Sequence, residues 1–174
     1  VRQELDLTGH GKLVIKSAQK PAIVSLKEEV MRRRGDNTMM EESPVGEHQT
    51  NGAVENAIKK IQGLTRTIRN ATEMRYGSKV NGSHVIAPWI IRHAASCIDK
   101  FTVGKDGMTP RRRRKGKDFK GTELEFWEGV WYIKAASVGK NKLDSRWGNG
   151  IWMGARGESE ESILGAEAGV IKVR

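Results

Sequence analysis

Glu55 stands in the string Gln49-Thr50-Asn51-Gly52-Ala53-Val54-Glu55-Asn56, a few residues after Ser43-Pro44, where turn-forming residues give way to a helical repeat. A carboxylate in the first turn of a helix is stabilised by the positive end of the peptide dipole. There it can hold a divalent cation while neighbouring lysines meet phosphate. Lys59 follows one turn later on the same face, and Lys60, Arg66 and Arg69 extend the positive charge along the segment. Taken alone, such a glutamate more often serves only the dipole.

The elements that position these residues are legible from periodicity. Lys12-Leu13-Val14-Ile15-Lys16-Ser17 predicts a short strand after Gly11. Pro21 opens a helix with Ile23, Leu26 and Val30 at three- and four-residue spacing, Arg32-Arg33-Arg34 in its last turn and Gly35 as its stop. Thr38-Met39-Met40-Glu41 is a candidate second strand, and 43–52 is loop by composition. Val54, Ile58, Ile61, Leu64, Ile68 and Ala71 then mark one stripe of a long helix that Tyr76-Gly77 closes. Another helix runs from about Pro88, with Trp89, Ile90, Ala94, Cys97, Ile98 and Phe101 on one face.

The character changes at Gly104. Turn residues and the run Arg111-Arg112-Arg113-Arg114-Lys115-Gly116-Lys117 predict a basic linker over 104–121. Beyond it, Leu124–Phe126, Val130–Ile133, Ile151–Met153, Ile163–Leu164 and Val170–Val173 read as short strands punctuated by glycine. Four of the five tryptophans fall here, so a small barrel with a core of large side chains is expected.

Composition narrows the function classes. The 174 residues carry a formal charge of +10, with 37% hydrophobic and 30% charged residues. Displaced counterions make a polyanion the natural partner of such a chain. No apolar stretch approaches the roughly 18 residues of a membrane span, so no membrane partner is expected. One cysteine, Cys97, excludes an internal disulfide and a zinc site built on several thiolates. The start on Val1 suggests a piece of a longer polypeptide.

Ser43-Pro44 with Asn51-Gly52-Ala53-Val54-Glu55 resembles the end of the catalytic core of retroviral and LTR-retrotransposon integrases. The resemblance continues through Pro88-Trp89-Ile90-Ile91-Arg92-His93-Ala94-Ala95 and Phe101-Thr102-Val103-Gly104-Lys105-Asp106-Gly107-Met108-Thr109-Pro110. In this order the string is similar to the integrase region of gypsy/copia-like Pol polyproteins. The resemblance implies an α/β then all-β chain: the C-terminal portion of an RNase-H-like core over 1–103, the basic linker over 104–121, and a small SH3-like β-barrel over 122–174. It also implies an enzyme class, intracellular and nuclear if functional, that joins element DNA ends to target DNA, with a homo-oligomer possible, and that uses Mg2+ or Mn2+ held by an Asp, Asp, Glu triad.

Glu55 would be the third carboxylate of that triad, and Lys59 matches the position of a lysine near the DNA end. Gln62 stands where a second lysine is frequent. The second carboxylate belongs in a Lys-Ser-Asp-x-Glu-Pro-Ala string, but this chain reads Lys16-Ser17-Ala18-Gln19-Lys20-Pro21-Ala22. Ala18 therefore replaces the Asp, and a methyl group offers no oxygen to a hard cation. The first Asp belongs to an earlier strand with no counterpart in the sequence. With two of three carboxylates missing, the chain is expected to bind no ion pair and to be catalytically inactive.

The remaining candidates are less specific. His10, His48, His84 and His93 lack the spacing of a His/Cys zinc module, so the family's N-terminal zinc domain is not expected within these residues. His93 is expected as a core or boundary residue, and Cys97 as a buried thiol with no adjacent base. Arg111, Arg112, Arg113 and Arg114 could contact DNA backbone, form a nuclear-localisation patch, or be a solvated linker. In the C-terminal part, Lys134, Lys140, Lys142 and Arg146 would touch phosphates without reading bases. A second function class fits the same composition: a non-enzymatic basic module that binds protein or RNA through the C-terminal barrel.

Overall fold

The computed structural model describes residues 5–6, 9–17, 19–42, 52–134, 143, 145–157, 159 and 161–174. The chain divides into two compact units, 1–59 and 60–174. The expectations placed on Ala18, Ser43-Pro44, His48, Gln49 to Asn51, Lys140 and Lys142 lie outside the described residues.

In the first unit, strand β1 (Leu13–Ser17), helix α1 (Pro21–Arg34) and strand β2 (Thr38–Glu42) make a β-α-β crossover. The two strands pair in parallel, Leu13 opposite Thr38 and Ser17 opposite Glu42. β1 alternates as its sequence demands: Leu13, Ile15 and Ser17 are half-buried while Val14 and Lys16 face out. Pro21 begins α1 and Gly35 ends it. Arg32 donates to Glu29 at 2.8 Å and Arg33 pairs with the same carboxylate, so these bonds pull Glu29 down to about 2. Among the described residues, those fully buried in this unit are Val30, Thr38 and Lys27, whose ammonium has no hydrogen-bond partner among them.

Helix α2 (Gly52–Tyr76) starts in the first unit and continues into the second. Its C-terminal turn is tied down by Glu73, which accepts from the Val80 amide at 2.9 Å and from Lys79 at 3.1 Å. Those bonds hold the Glu73 carboxyl below the usual range.

In the second unit, helix α3 (Ala87–Phe101) supplies the main apolar face. Val80, Ile86, Ile90 and Phe126 form its buried cluster, with Ile68, Trp89 and Trp127 packed around them. The sheet is an antiparallel meander, β3 (Gly129–Ile133), β4 (Trp147–Ala155), β5 (Ser162–Ala166) and β6 (Gly169–Val173), in that order. Trp152, Met153, Ile163 and Leu164 are its buried residues. Gly148 faces Tyr132 across the β3–β4 pair, and a Cβ there would stand 2.8 Å from the tyrosine ring. Gly154, at φ 125°, lies at the register shift in β4, a backbone conformation that other residues rarely adopt.

Two expectations are corrected. The strands form an open four-stranded sheet, with β3 and β6 at its edges, and no closed barrel occurs among the described residues. Leu124–Phe126 is not a strand. The chain turns at once through Trp127, the one described non-glycine residue at positive φ (67°). Tyr76 donates its hydroxyl to the Trp127 carbonyl, and the Trp127 amide donates to Trp152 at 2.9 Å. These bonds hold a conformation that costs an L-residue about 1–2 kcal/mol.

The stretch 104–121 falls within the second unit and carries helix α4 (Pro110–Lys115). Thr109 caps it, its hydroxyl accepting from the Arg112 amide at 3.1 Å, and Gly116 ends it. A run of like charges becomes helical here because its arginines find carboxylates on neighbouring segments.

Candidate functional site

Glu55 sits in the first turn of α2, as expected, with its side chain exposed. Lys59 and Lys60 are exposed as well, so both ammonium groups can meet a phosphate. Among the described residues Glu55 joins no group of three metal-ligating side chains. The strand to which the integrase resemblance assigns a partner carboxylate ends at Ser17, and the next residue in sequence is Ala18, whose methyl supplies no ligand atom. These residues do not fit a two-metal site.

Other candidates differ in what they can offer a polyanion. Arg66 is exposed, whereas Arg69 is half-buried with its Nε 3.7 Å from Glu73. Arg111 is corrected outright: it is 4% exposed, and its guanidinium lies 5.2 Å from the Phe119 ring centroid. It packs α4 against the unit's interior, a cation–π contact, and presents no charge outward. Arg112 pairs with Asp118 at 3.3 Å, Arg113 chelates Asp106 at 2.5 and 2.8 Å, and Arg114 pairs with Asp99 at 2.9 Å. The twofold bond from Arg113 holds the Asp106 carboxyl far below the ordinary carboxylate range. A phosphate would have to compete with these carboxylates.

Lys134 and Arg146 face each other at the end of the β3–β4 pair from which the connecting segment leaves, where the Lys134 amide donates to the Arg146 carbonyl at 2.7 Å. Both side chains are exposed. Beside them, Trp131, Ile133 and Trp147 project from the same face of the hairpin and remain 69%, 63% and 51% exposed. The tryptophans and Lys134 line a shallow hollow together with Asn149 and Glu167. The sequence reading assigned the tryptophans to a core; alternation along β3 in fact sends Trp131 out and Tyr132 in.

A second constellation was missed. His93 and Cys97 lie one turn apart on α3, and the Cys97 Sγ is 3.4 Å from the His93 Nε2. Glu123 completes the group, its Oε1 3.8 Å from the His93 Nδ1. The His93 ring is wedged between Phe126 and Trp152, with centroids at 5.4 and 5.2 Å. Burial lowers the His93 pKa, against the pull of Glu123. Burial and the Glu123 charge raise the Cys97 thiol to about 11, so the neighbouring imidazole does not make it a nucleophile. The four-residue spacing of His93 and Cys97 was visible in the sequence, but Glu123 comes from another segment and carried no signal.

No protein-family model and no curated protein matches this chain. Among the described residues, no helix is long and apolar enough to cross a membrane.

Proposed function

We propose that this chain is a DNA-binding remnant of a retrotransposon- or retrovirus-type integrase, without strand-transfer activity of its own. The observation that carries the proposal is the ordered string from Asn51-Gly52-Ala53-Val54-Glu55 through Pro88-Trp89-Ile90 to Gly107-Met108-Thr109-Pro110, combined with Ala18 at the second carboxylate position. The parallel β1–α1–β2 crossover supports it, since a crossover of this kind belongs to an RNase-H-like core. In this proposal the four-stranded sheet corresponds to the SH3-like domain that follows such a core. A charge of +10 and the exposed Lys59, Lys60, Arg66, Lys134 and Arg146 supply the phosphate contacts. The cellular place of such a protein is the nucleus.

The test is DNA affinity as a function of salt. Engagement of about six phosphates predicts a log–log slope near −5. A slope near zero overturns DNA binding. Strand transfer assayed in Mn2+ should be absent in this chain, because Ala18 offers no oxygen at the second carboxylate position. Turnover by the unmodified chain sinks the inactive part of the proposal.

One observation favours a second reading, a non-enzymatic interaction module. The exposed Trp131, Ile133 and Trp147 make an aromatic face beside Lys134 and Arg146. Such a face suits stacked bases of single-stranded RNA or a protein partner. Trp131→Ala weakens binding under this reading and leaves duplex affinity unchanged under the first.

A further inference from the structure

We infer that His93, Cys97 and Glu123 form a binding site for one zinc-type divalent ion, a structural site separate from Glu55 and independent of the DNA proposal. The three side chains offer nitrogen, sulfur and oxygen, one ligand atom each, all within 4.8 Å of one another. Tetrahedral zinc with ordinary bond lengths needs its ligand atoms about 3.3–3.6 Å apart. The His93 Nδ1 is 4.0 Å from the Cys97 Sγ and 3.8 Å from the Glu123 Oε1, so two edges close with a shift of roughly half an ångström.

The surroundings favour an ion over the empty cluster. The Glu123 Oε1 is buried and has no hydrogen-bond partner among the described residues, a costly state for a carboxylate oxygen. Its other oxygen accepts from the Lys100 Nζ at 2.6 Å. Lys100, only 6% exposed and stacked 4.4 Å from the Phe119 centroid, thereby aims the free oxygen at His93. The ring packing on Phe126 and Trp152 fixes the imidazole in the same way. A cleft of about 220 Å³, lined by Ile68, Thr72, Arg75 and the three ligands, leaves room for water as a fourth ligand.

Charge and softness choose the metal. A thiolate and a carboxylate beside one lysine ammonium sum to −1, which a dication converts to +1. The thiolate selects zinc or cobalt and rejects magnesium, which demands six oxygens in octahedral array. An ion here would tie α3 to the segment that leads into β3, replacing an unsatisfied buried carboxylate oxygen by a bond.

The full chain titrated with Co2+ in a phosphine reductant tests this. Cys97 is the only cysteine, so a thiolate-to-cobalt charge-transfer band can come from no other residue. The band should saturate at one equivalent per chain, vanish when Zn2+ is added, and resist a large excess of Mg2+. Cys97→Ser should abolish it, and Glu123→Gln should weaken the affinity at least about tenfold. Zn2+ should also raise the melting temperature of the natural chain relative to chelator. Absence of the band, saturation at half an equivalent (one ion shared by the thiolates of two chains), or undiminished affinity in Glu123→Gln overturns the site. The band in the natural chain decides the matter even if a variant fails to fold.

Discussion

The two compact units bury their apolar side chains to very different extents. The second unit closes a core around Ile90, Ala94, Phe126, Trp152, Ile163 and Leu164, all at 5% exposure or less. The first has Val30 as its one buried apolar side chain among the described residues, while Val14, Leu26, Met39, Val54 and Ile58 remain exposed. It also buries the Lys27 ammonium without a partner among those residues. A two-stranded sheet with one helix offers little area to set against the entropy of ordering its chain. The lesson is that elements of equal legibility in sequence need not be equally stable: β1 and α1 follow their patterns as faithfully as α3 does.

The largest effect expected is in the second unit. Leu164→Ala should cost about 2–5 kcal/mol, whereas Met39→Ala in the first unit should cost less than about 0.5 kcal/mol. All five tryptophans lie in the second unit, so denaturant unfolding followed by tryptophan fluorescence reads that unit selectively. Equal losses would erase the contrast.

Lys27→Met comes next. Removing a buried, unpartnered ammonium should stabilise the first unit by about 1–3 kcal/mol, seen as slower amide exchange in α1. Full protection of β1 in the natural chain would show that the first unit already has a sufficient core.

Thr109→Ala should destabilise α4 by about 1 kcal/mol, through loss of the cap to the Arg112 amide. The check is exchange of the Arg112 and Arg113 amides. If they do not change, the helix is held by its side-chain pairs alone.

The smallest effect is pH-dependent. The folded His93 pKa lies below its unfolded value near 6.5, so below that pH the unfolded chain binds more protons than the folded one. Stability of the second unit should therefore rise with pH up to about 6.5 and level off above it. Melting in chelator across that range checks this, and His93→Gln should flatten the slope.

Much of the secondary structure was legible. Pro21 and Gly35 bracket α1, the apolar repeat from Val54 to Ala71 runs along α2, and the pattern after Pro88 places Ile90 and Ala94 in the core. Leu124–Phe126 misled because apolar–polar–apolar alternation marks a strand and an irregular buried stretch equally well, and only the turn at Trp127 separates them. The basic run misled because composition counts charges but not their partners.

Sequence alone determined most of the helices and strands, the excess positive charge, and the lack of any ligand oxygen on the side chain of Ala18. These depend on short-range periodicity and on which atoms a side chain possesses. The tertiary structure decided that Arg111 is buried, that Arg112, Arg113 and Arg114 are paired, that Trp131 and Trp147 face outward, and that Glu123 meets His93 and Cys97. Each of those depends on which distant segment arrives alongside, and that choice follows from packing the whole unit, which no local spacing encodes.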